Sequence, residues 1–305
     1  MRSHGFDDSF DDYLDGTFPD GPRRGGPRRG AKRRGARPPT DDEPTDQSAP
    51  GGHWSSWADA ARGPEPYPSW LVTEAGAVDT DLGVLKTGKE ADVHLVRRAV
   101  PGSEPGCLLA VKRYRSAEHR MFHRDAGYLE GRRVRRSREM RAMAGRTDFG
   151  RGLIAGQWAG TEFAALCRLW SIGAPVPYPA QHIGTELMLE FLGDSGGTAA
   201  PRLAQLRPDP DLLARLWEQV VEALRLLAGA GLAHGDLSGY NLLVHEERLV
   251  LIDLPQVVDL VANPLGGEFL WRDVRNISAW FAGRGLPARL ADPNALMALL
   301  VREAF

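Results

Sequence analysis

Short apolar runs broken by turn residues dominate the second half of this chain. Leu242-Leu243-Val244 and Leu249-Val250-Leu251-Ile252 are β-prone runs separated by His245-Glu246-Glu247-Arg248, which predicts a hairpin. Upstream, Leu213, Leu216, Val220, Leu224 and Leu227 recur at three- and four-residue steps. That period predicts a long core helix, with Asp209 and Pro210 at its start and Gly229 and Gly231 at its end. Segments 268–277 and 290–305 read as amphipathic helices that close the same apolar core.

The first half reads as strands. Val93, Leu95 and Arg97 alternate with other residues at strand period, and 108–114 (LAVKRY with its leading Leu) forms another strand after the turn Gly102–Gly106. Phe163, Leu166, Leu169 and Trp170 share one helical stripe, so a helix is expected over 158–170, ended by Gly173 and three prolines. Glu186 to Leu192 is a buried strand running into a glycine-rich break. No internal repeat is found.

Composition changes the picture only at the N-terminus. Of the 305 residues 42% are hydrophobic, and the formal net charge is −2, so any attraction to nucleic acid must be local. Residues 1–66 combine acidic flanks with GPRRGGPRRGAKRRGARPP and hold few apolar residues that could offset the entropy of ordering. This predicts a disordered tail, read either as an RNA or ribosome tether through phosphate contacts or as a solvated tail neutralised by its flanks. A second basic stretch, 115–156, carries six arginines between Arg132 and Arg141 and reads as a mobile insert or a solvated helical face. Cys107 and Cys167 lack metal-ligand spacing and read as buried free thiols in a reducing compartment. No apolar run approaches a membrane span, and Asp7, Asp8, Asp11 and Asp12 stand where a signal peptide needs an apolar core. A cytoplasmic protein with no membrane contact is expected.

Chemistry concentrates in 231–254. His234-Gly235-Asp236 is followed by Asn241 five positions after Asp236, and by Asp253 at the end of an apolar run. A carboxylate that orients and deprotonates a hydroxyl, with a carboxamide and a second carboxylate to hold magnesium on nucleotide phosphates, suits phosphoryl transfer. Gly83 to Lys89 matches the start of a Walker A loop, but Glu90 replaces the hydroxyl that motif needs and no helix follows. A strand-turn-strand whose tip lies over phosphates accounts for these residues better, with Gly88 allowing backbone approach and Lys89 near the charge. Lys112, after an apolar strand, is read as a phosphate lysine only if it has a partner. Glu162, beside the helical stripe, is that candidate, and an exposed helical glutamate is the plainer reading. Glu190 and Leu192 lie where backbone groups of a hinge would read an adenine edge.

Together these residues resemble the RIO family of atypical serine/threonine-protein kinases. The resemblance rests on Thr87-Gly88-Lys89-Glu90-Ala91, the Lys112 strand, Glu162-Phe163, Met188-Leu189-Glu190-Phe191, His234 through Asn241, Ile252-Asp253 and Arg272-Asp273-Val274-Arg275-Asn276-Ile277. It implies an α+β, bilobal, protein-kinase-like fold with a small β-rich lobe carrying one helix and a mostly helical large lobe, trimmed of its activation segment. The lobes would span 67–192 and 193–305. It implies ATP and Mg2+ as cofactors, Asp236 as catalytic aspartate, Asn241 and Asp253 as metal ligands, and Lys112 paired with Glu162. Gly88, Lys89, Glu90, Glu190 and Leu192 would complete the nucleotide site. In the family the aspartate matching Asp253 can accept a phosphoryl group, so ATPase action is implied beside Ser/Thr phosphorylation of a protein or of the chain itself. Pro255, after Leu254, is expected to stiffen the metal loop.

Two other functions use overlapping residues. A small-molecule phosphotransferase of the aminoglycoside or choline kinase type also carries H-G-D-x-x-x-x-N and a later metal aspartate. A nucleotide-gated RNA or ribosome-binding module would use the basic tail and insert. The 87–91 loop, the 272–277 segment and the short region after Asp253 favour the RIO reading.

Overall fold

The computed structural model describes residues 48–49, 52–103, 106–115, 148–254 and 257–305. The strands are β1 (Ser48–Ala49), β2 (Gly52–Trp54), β3 (Ala61–Arg62), β4 (Val78–Thr87), β5 (Ala91–Ala99), β6 (Cys107–Tyr114), β7 (Pro179–Ile183), β8 (Glu186–Glu190), β9 (Leu232–Ala233), β10 (Leu242–His245), β11 (Arg248–Leu251) and β12 (Val258–Asp259). The helices are α1 (Asp148–Ser171), α2 (Pro210–Gly229), α3 (Gly266–Gly283) and α4 (Pro293–Ala304). An eight-stranded sheet, ordered β1-β2-β4-β5-β6-β8-β7-β3, forms the small lobe with α1, and α2 to α4 build the large one. The expected α+β bilobal arrangement is what the chain adopts.

The sheet has two unlike faces. Val96, Leu109, Val111 and Met188 lie on the outer face, buried beneath Trp57 and Leu71. The opposite face carries Lys112 and Leu187, and Leu187 packs with Phe163, Leu166 and Leu169 of α1. Period-two alternation thus sends one set of side chains under the N-terminal cover and the other toward the cleft. The turn between β4 and β5 is closed by the Gly88 N–H donating to the Ala91 carbonyl at 3.0 Å. A Cβ at Gly88 would come within 2.8 Å of that same oxygen, so the turn requires glycine. No helix follows it, in agreement with the rejection of Walker A.

In the large lobe α2 is capped by Asp209, whose side chain accepts from Leu212 N–H at 2.8 Å. Leu213, Leu216, Val220, Leu224 and Leu227 all face the core, as their spacing predicts. The β10–β11 hairpin turns through Glu246 and Glu247, both with positive φ (50° and 62°), the conformation that joins two right-twisted strands in two residues.

Two expectations change. Residues 52–66, assigned by composition to the tail, supply β2, β3 and Trp57, which is 7% exposed against the sheet. Burial of this indole, with β2 paired to β4 and β3 paired to β7, holds a segment whose average composition is polar. Helix α1 begins at Asp148, ten residues before Trp158, so the last part of the 115–156 segment is helical. Residues 1–47 and 116–147, with most of both basic stretches, and Pro255 lie outside the described residues.

Candidate active site

The cleft between the lobes is organised by Lys112. From β6 its ammonium donates to Glu162 Oε2 at 2.9 Å and to Asp253 Oδ1 at 2.8 Å. Glu162 is 1% exposed on α1, and its Oε1 also accepts the Leu254 N–H at 3.0 Å. The Tyr114 hydroxyl donates to the same carboxylate. Lysine strand and glutamate helix therefore meet as the sequence predicts. Burial pulls the Lys112 ammonium down, but the charges of Glu162 and Asp253 outweigh it and hold its pKa well above that of an ordinary lysine. Burial likewise raises the Asp253 carboxyl, and the Lys112 ammonium more than reverses this, so it titrates below the usual carboxylate range.

Asp253 takes φ of +65°, a left-handed conformation that aspartate and asparagine tolerate better than most residues. It bends the chain as it leaves β11 and turns the carboxylate to Lys112. That side chain stays 41% exposed, open to the cleft.

The loop before β10 is fixed by main-chain contacts. The Asn241 Nδ2 donates to the Asp236 carbonyl at 2.8 Å, and the Asn241 carbonyl accepts from Ile252 N–H at 3.0 Å. Nδ2 is thus committed to the loop, leaving Oδ1 as an acceptor. His234 is fully buried, with Nε2 3.1 Å from the Ile252 carbonyl. A carbonyl only accepts, so Nε2 carries the proton. The Asp236 carboxylate is exposed. Residues 236, 241 and 253 are therefore tied together through Ile252, and 253 is joined to 112 directly.

Sequence reasoning gave no role to the residues that hold this loop. Asp273 of α3, fully buried, accepts the Gly235 N–H at 2.7 Å and the Leu237 N–H at 2.8 Å, the two amides flanking Asp236. Arg272 donates to the Gly235 carbonyl. Gly235 has φ of +85°, which frees its N–H to point at Asp273. One signal was available: Asp273 interrupts the apolar stripe Leu270, Val274, Ile277, Phe281, and a carboxylate there must find buried donors.

The remaining predicted residues are less directly engaged. Lys89 and Glu90 are exposed at the β4–β5 turn, and among the described residues no contact of Lys89 with the Lys112 cluster is seen. At the end of β8, Glu190 spends its N–H on the Tyr178 carbonyl and its Oε2 on the Tyr178 N–H (2.9 and 3.0 Å). Burial raises its carboxyl, and the Tyr178 amide opposes this. The Leu192 carbonyl accepts from Ala200 N–H at 2.9 Å. Among the described residues no group of three or more His, Cys, Asp or Glu side chains is placed to hold a metal. Two oxygen donors with phosphate oxygens suffice for Mg2+, and Asn241 and Asp253 fit that smaller demand.

The RIO domain family profile matches residues 102–294. The chain is 34% identical over 219 residues to the RIO-type serine/threonine-protein kinase Rio1 of Haloferax volcanii, covering 72% of this chain and 69% of that one. It is 30% identical to the Rio1 of Thermoplasma acidophilum, covering 66% of this chain and 96% of the relative. Against the serine/threonine-protein kinase rio1 of Schizosaccharomyces pombe it is 32% identical, spanning 68% of this chain but 39% of that longer protein. Among solved structures, the Rio2 kinase from Chaetomium thermophilum superposes with a TM-score of 0.48 at 24% identity, over 71% of this chain and 63% of that one. With the family profile spanning most of the chain and archaeal relatives matched over most of their length, the chain belongs to the RIO family of atypical serine/threonine-protein kinases.

Proposed function

We propose that this RIO-type kinase binds ATP between the lobes and transfers its terminal phosphoryl group to a serine or threonine hydroxyl, on a protein substrate or on itself. The observation that carries this is the Lys112 ammonium shared between Glu162 and Asp253 beside the Asp236–Asn241 loop. Lys112 binds and orients the α- and β-phosphates, and Glu162 fixes its direction. The Glu190 carbonyl and the Leu192 N–H receive the adenine edge, and the Gly88 turn covers the phosphates. Asn241 and Asp253 would hold Mg2+, which supplies neutralisation of phosphate charge when bound. The exposed Asp236 carboxylate accepts the proton of the attacking hydroxyl.

Within this reading the small lobe runs to Leu192 and the large lobe begins at Gly193, with 52–66 belonging to the small lobe. Asp253 also offers a second output. One of its oxygens is on Lys112 and the side chain is open to the cleft, so it can itself take the phosphoryl group and return it to water, giving ATP hydrolysis. The basic segments outside the described residues are assigned to RNA or ribosome contact on their charge alone. Unchanged co-sedimentation across a salt series after deleting residues 1–47 would remove the tail from that assignment.

Incubating the purified chain with γ-labelled ATP, magnesium and a lysate tests the whole reading. Acid-stable label on protein supports Ser/Thr transfer, hydroxylamine-labile label on the chain itself or released labelled phosphate supports the Asp253 route, and label carried onto an organic small molecule overturns both. Asp236→Ala is expected to keep nucleotide binding and lose Ser/Thr transfer, and undiminished transfer in that variant rejects the role of Asp236.

A further inference from the structure

Lys86 has no role in the scheme above, yet the sheet turns it toward the cleft. Strand β4 breaks its alternation between Val84 and Lys86: Val84 lies opposite His94, and Lys86 lies opposite Val93. The His94 row continues to Val111 on the outer face, whereas the Val93 row continues to Lys112. Directly opposed residues share a face, so the extra residue, Leu85, moves Lys86 onto the side of the sheet that carries Lys112. Regular alternation would have left Lys86 on the outer face with Val84, which is 57% exposed. The two lysines stand two strands apart, about 10 Å at ordinary strand spacing.

A second cation comes from the other lobe. Arg202 forms a bridge with Leu243 of β10, and its guanidinium donates to the Tyr240 carbonyl, one residue before Asn241. That bond uses one of the five guanidinium donors. Lys86 is exposed at the edge of the cleft, and its ammonium lies within the electrostatic reach of Arg202, Asp253 and Lys112; partial desolvation first, then repulsion from Arg202, lower its pKa. Like charges brought together from opposite lobes repel, and an anion between them relieves that repulsion. The inner part of the cleft is the reverse. Lys112 faces the two carboxylates Glu162 and Asp253, with Asp236 nearby in the loop, so negative charge prevails where the metal would sit. The positive charge that suits the outer end of a triphosphate stands at the mouth.

We propose that Lys86 and Arg202 form a clamp, one cation from each lobe, that grips the terminal phosphate of the bound triphosphate and so favours ATP over ADP. Both are nucleotide-binding residues, and the clamp rests on the ATP reading given above.

Calorimetry on the full chain tests it without any turnover, using Mg-ATP, Mg-ADP and AMP against wild type, Lys86→Met and Lys86→Arg. Charge-assisted contacts to one phosphate predict that Lys86→Met weakens Mg-ATP binding about ten-fold and Mg-ADP binding by about two-fold or less. AMP affinity stays unchanged, and Lys86→Arg restores most of the preference. An ATP-to-ADP affinity ratio equal to wild type in Lys86→Met overturns the clamp while leaving ATP binding itself intact. A wild-type chain that binds none of the three nucleotides overturns the clamp and the ATP reading together.

Discussion

The Glu162 carboxylate accepts the main-chain N–H of Leu254 at 3.0 Å while its other oxygen holds Lys112 at 2.9 Å. One buried side chain of α1 thereby fixes both the lysine strand and the residue that follows Asp253. Because Asp253 also contacts Lys112, the three ionised groups form one closed arrangement spanning the lobes. A displacement of α1 would release both Glu162 contacts at once and leave Lys112 held by Asp253 alone, which makes the helix position a determinant of the cleft geometry.

Glu162→Gln therefore should cost more activity than stability. The amide retains one acceptor for the Leu254 N–H or for Lys112, but offers NH2 where a carboxylate oxygen stood. We expect kcat/KM for ATP to fall by at least about ten-fold, with a loss of about 1–3 kcal/mol in unfolding free energy. Glu162→Ala leaves the Lys112 ammonium short of a partner in a buried site, and its cost rises to about 3–5 kcal/mol. Turnover and denaturant unfolding of the two variants measure both effects; equal activity in wild type and Glu162→Gln would remove Glu162 from the site.

Asp273→Asn is the corresponding test of the loop. The carboxylate uses a separate oxygen for each of the Gly235 and Leu237 amides. Asparagine has one acceptor, so one buried N–H faces another donor, at a cost of about 1–3 kcal/mol. The Asp236 loop loses its fixed path, and kcat should fall while nucleotide affinity, which the proposed function assigns mainly to Lys112 and the end of β8, changes little. A variant with lowered affinity and normal kcat would contradict this division.

These cases show which parts of the molecule the sequence exposes. The hairpin, the α2 stripe and the Lys112 strand follow from period and turn residues, and each lies where its pattern places it. Asp236, Asn241 and Asp253 stand out because polar residues punctuate apolar runs there. The start of α1 is hidden because Gly150, Gly152 and Gly156 depress helix propensity. Small residues serve packing instead: Ala155 and Ala159 are buried, and a Cβ at Gly156 would sit 3.4 Å from the Gly184 carbonyl. The inward turn of Lys86 is hidden as well, since a bulge is a matter of register between strands and leaves no mark on strand period alone.

The acid limb of stability should report the Lys112–Asp253 pair. The folded-state pKa of Asp253 lies below its unfolded value of about 3.9. Its contribution is therefore fully present above that value and is lost as pH falls through the lower folded pKa. Asp253→Asn tolerates the left-handed backbone at φ +65°, so it should fold, with a somewhat lower Tm than wild type at pH 7. The gap in Tm should close as the pH drops below about 4. Mg2+-dependent nucleotide affinity should fall at every pH. A gap that widens in acid would mean that the carboxylate is not stabilised by Lys112.

Trp57 tests the N-terminal cover of the sheet. The indole is 7% exposed, meets Tyr67 edge-on at 5.2 Å, and lies 6.0 Å beneath the guanidinium of Arg98. Arg98 is fully buried and paired with Asp79 through contacts of 2.7 and 2.8 Å. Removing the indole opens a cavity over Val96 and Val111 and admits water to that ion pair, so Trp57→Ala should cost about 3–5 kcal/mol. The loss falls on the outer face of the sheet, remote from Lys112. At a temperature where the variant remains folded, Mg-ATP affinity should match wild type while thermal unfolding shifts to lower temperature. A Tm unchanged by Trp57→Ala would show that residues 52–66 contribute little to the lobe, and an affinity lost without unfolding would show that the cover reaches the cleft through the sheet.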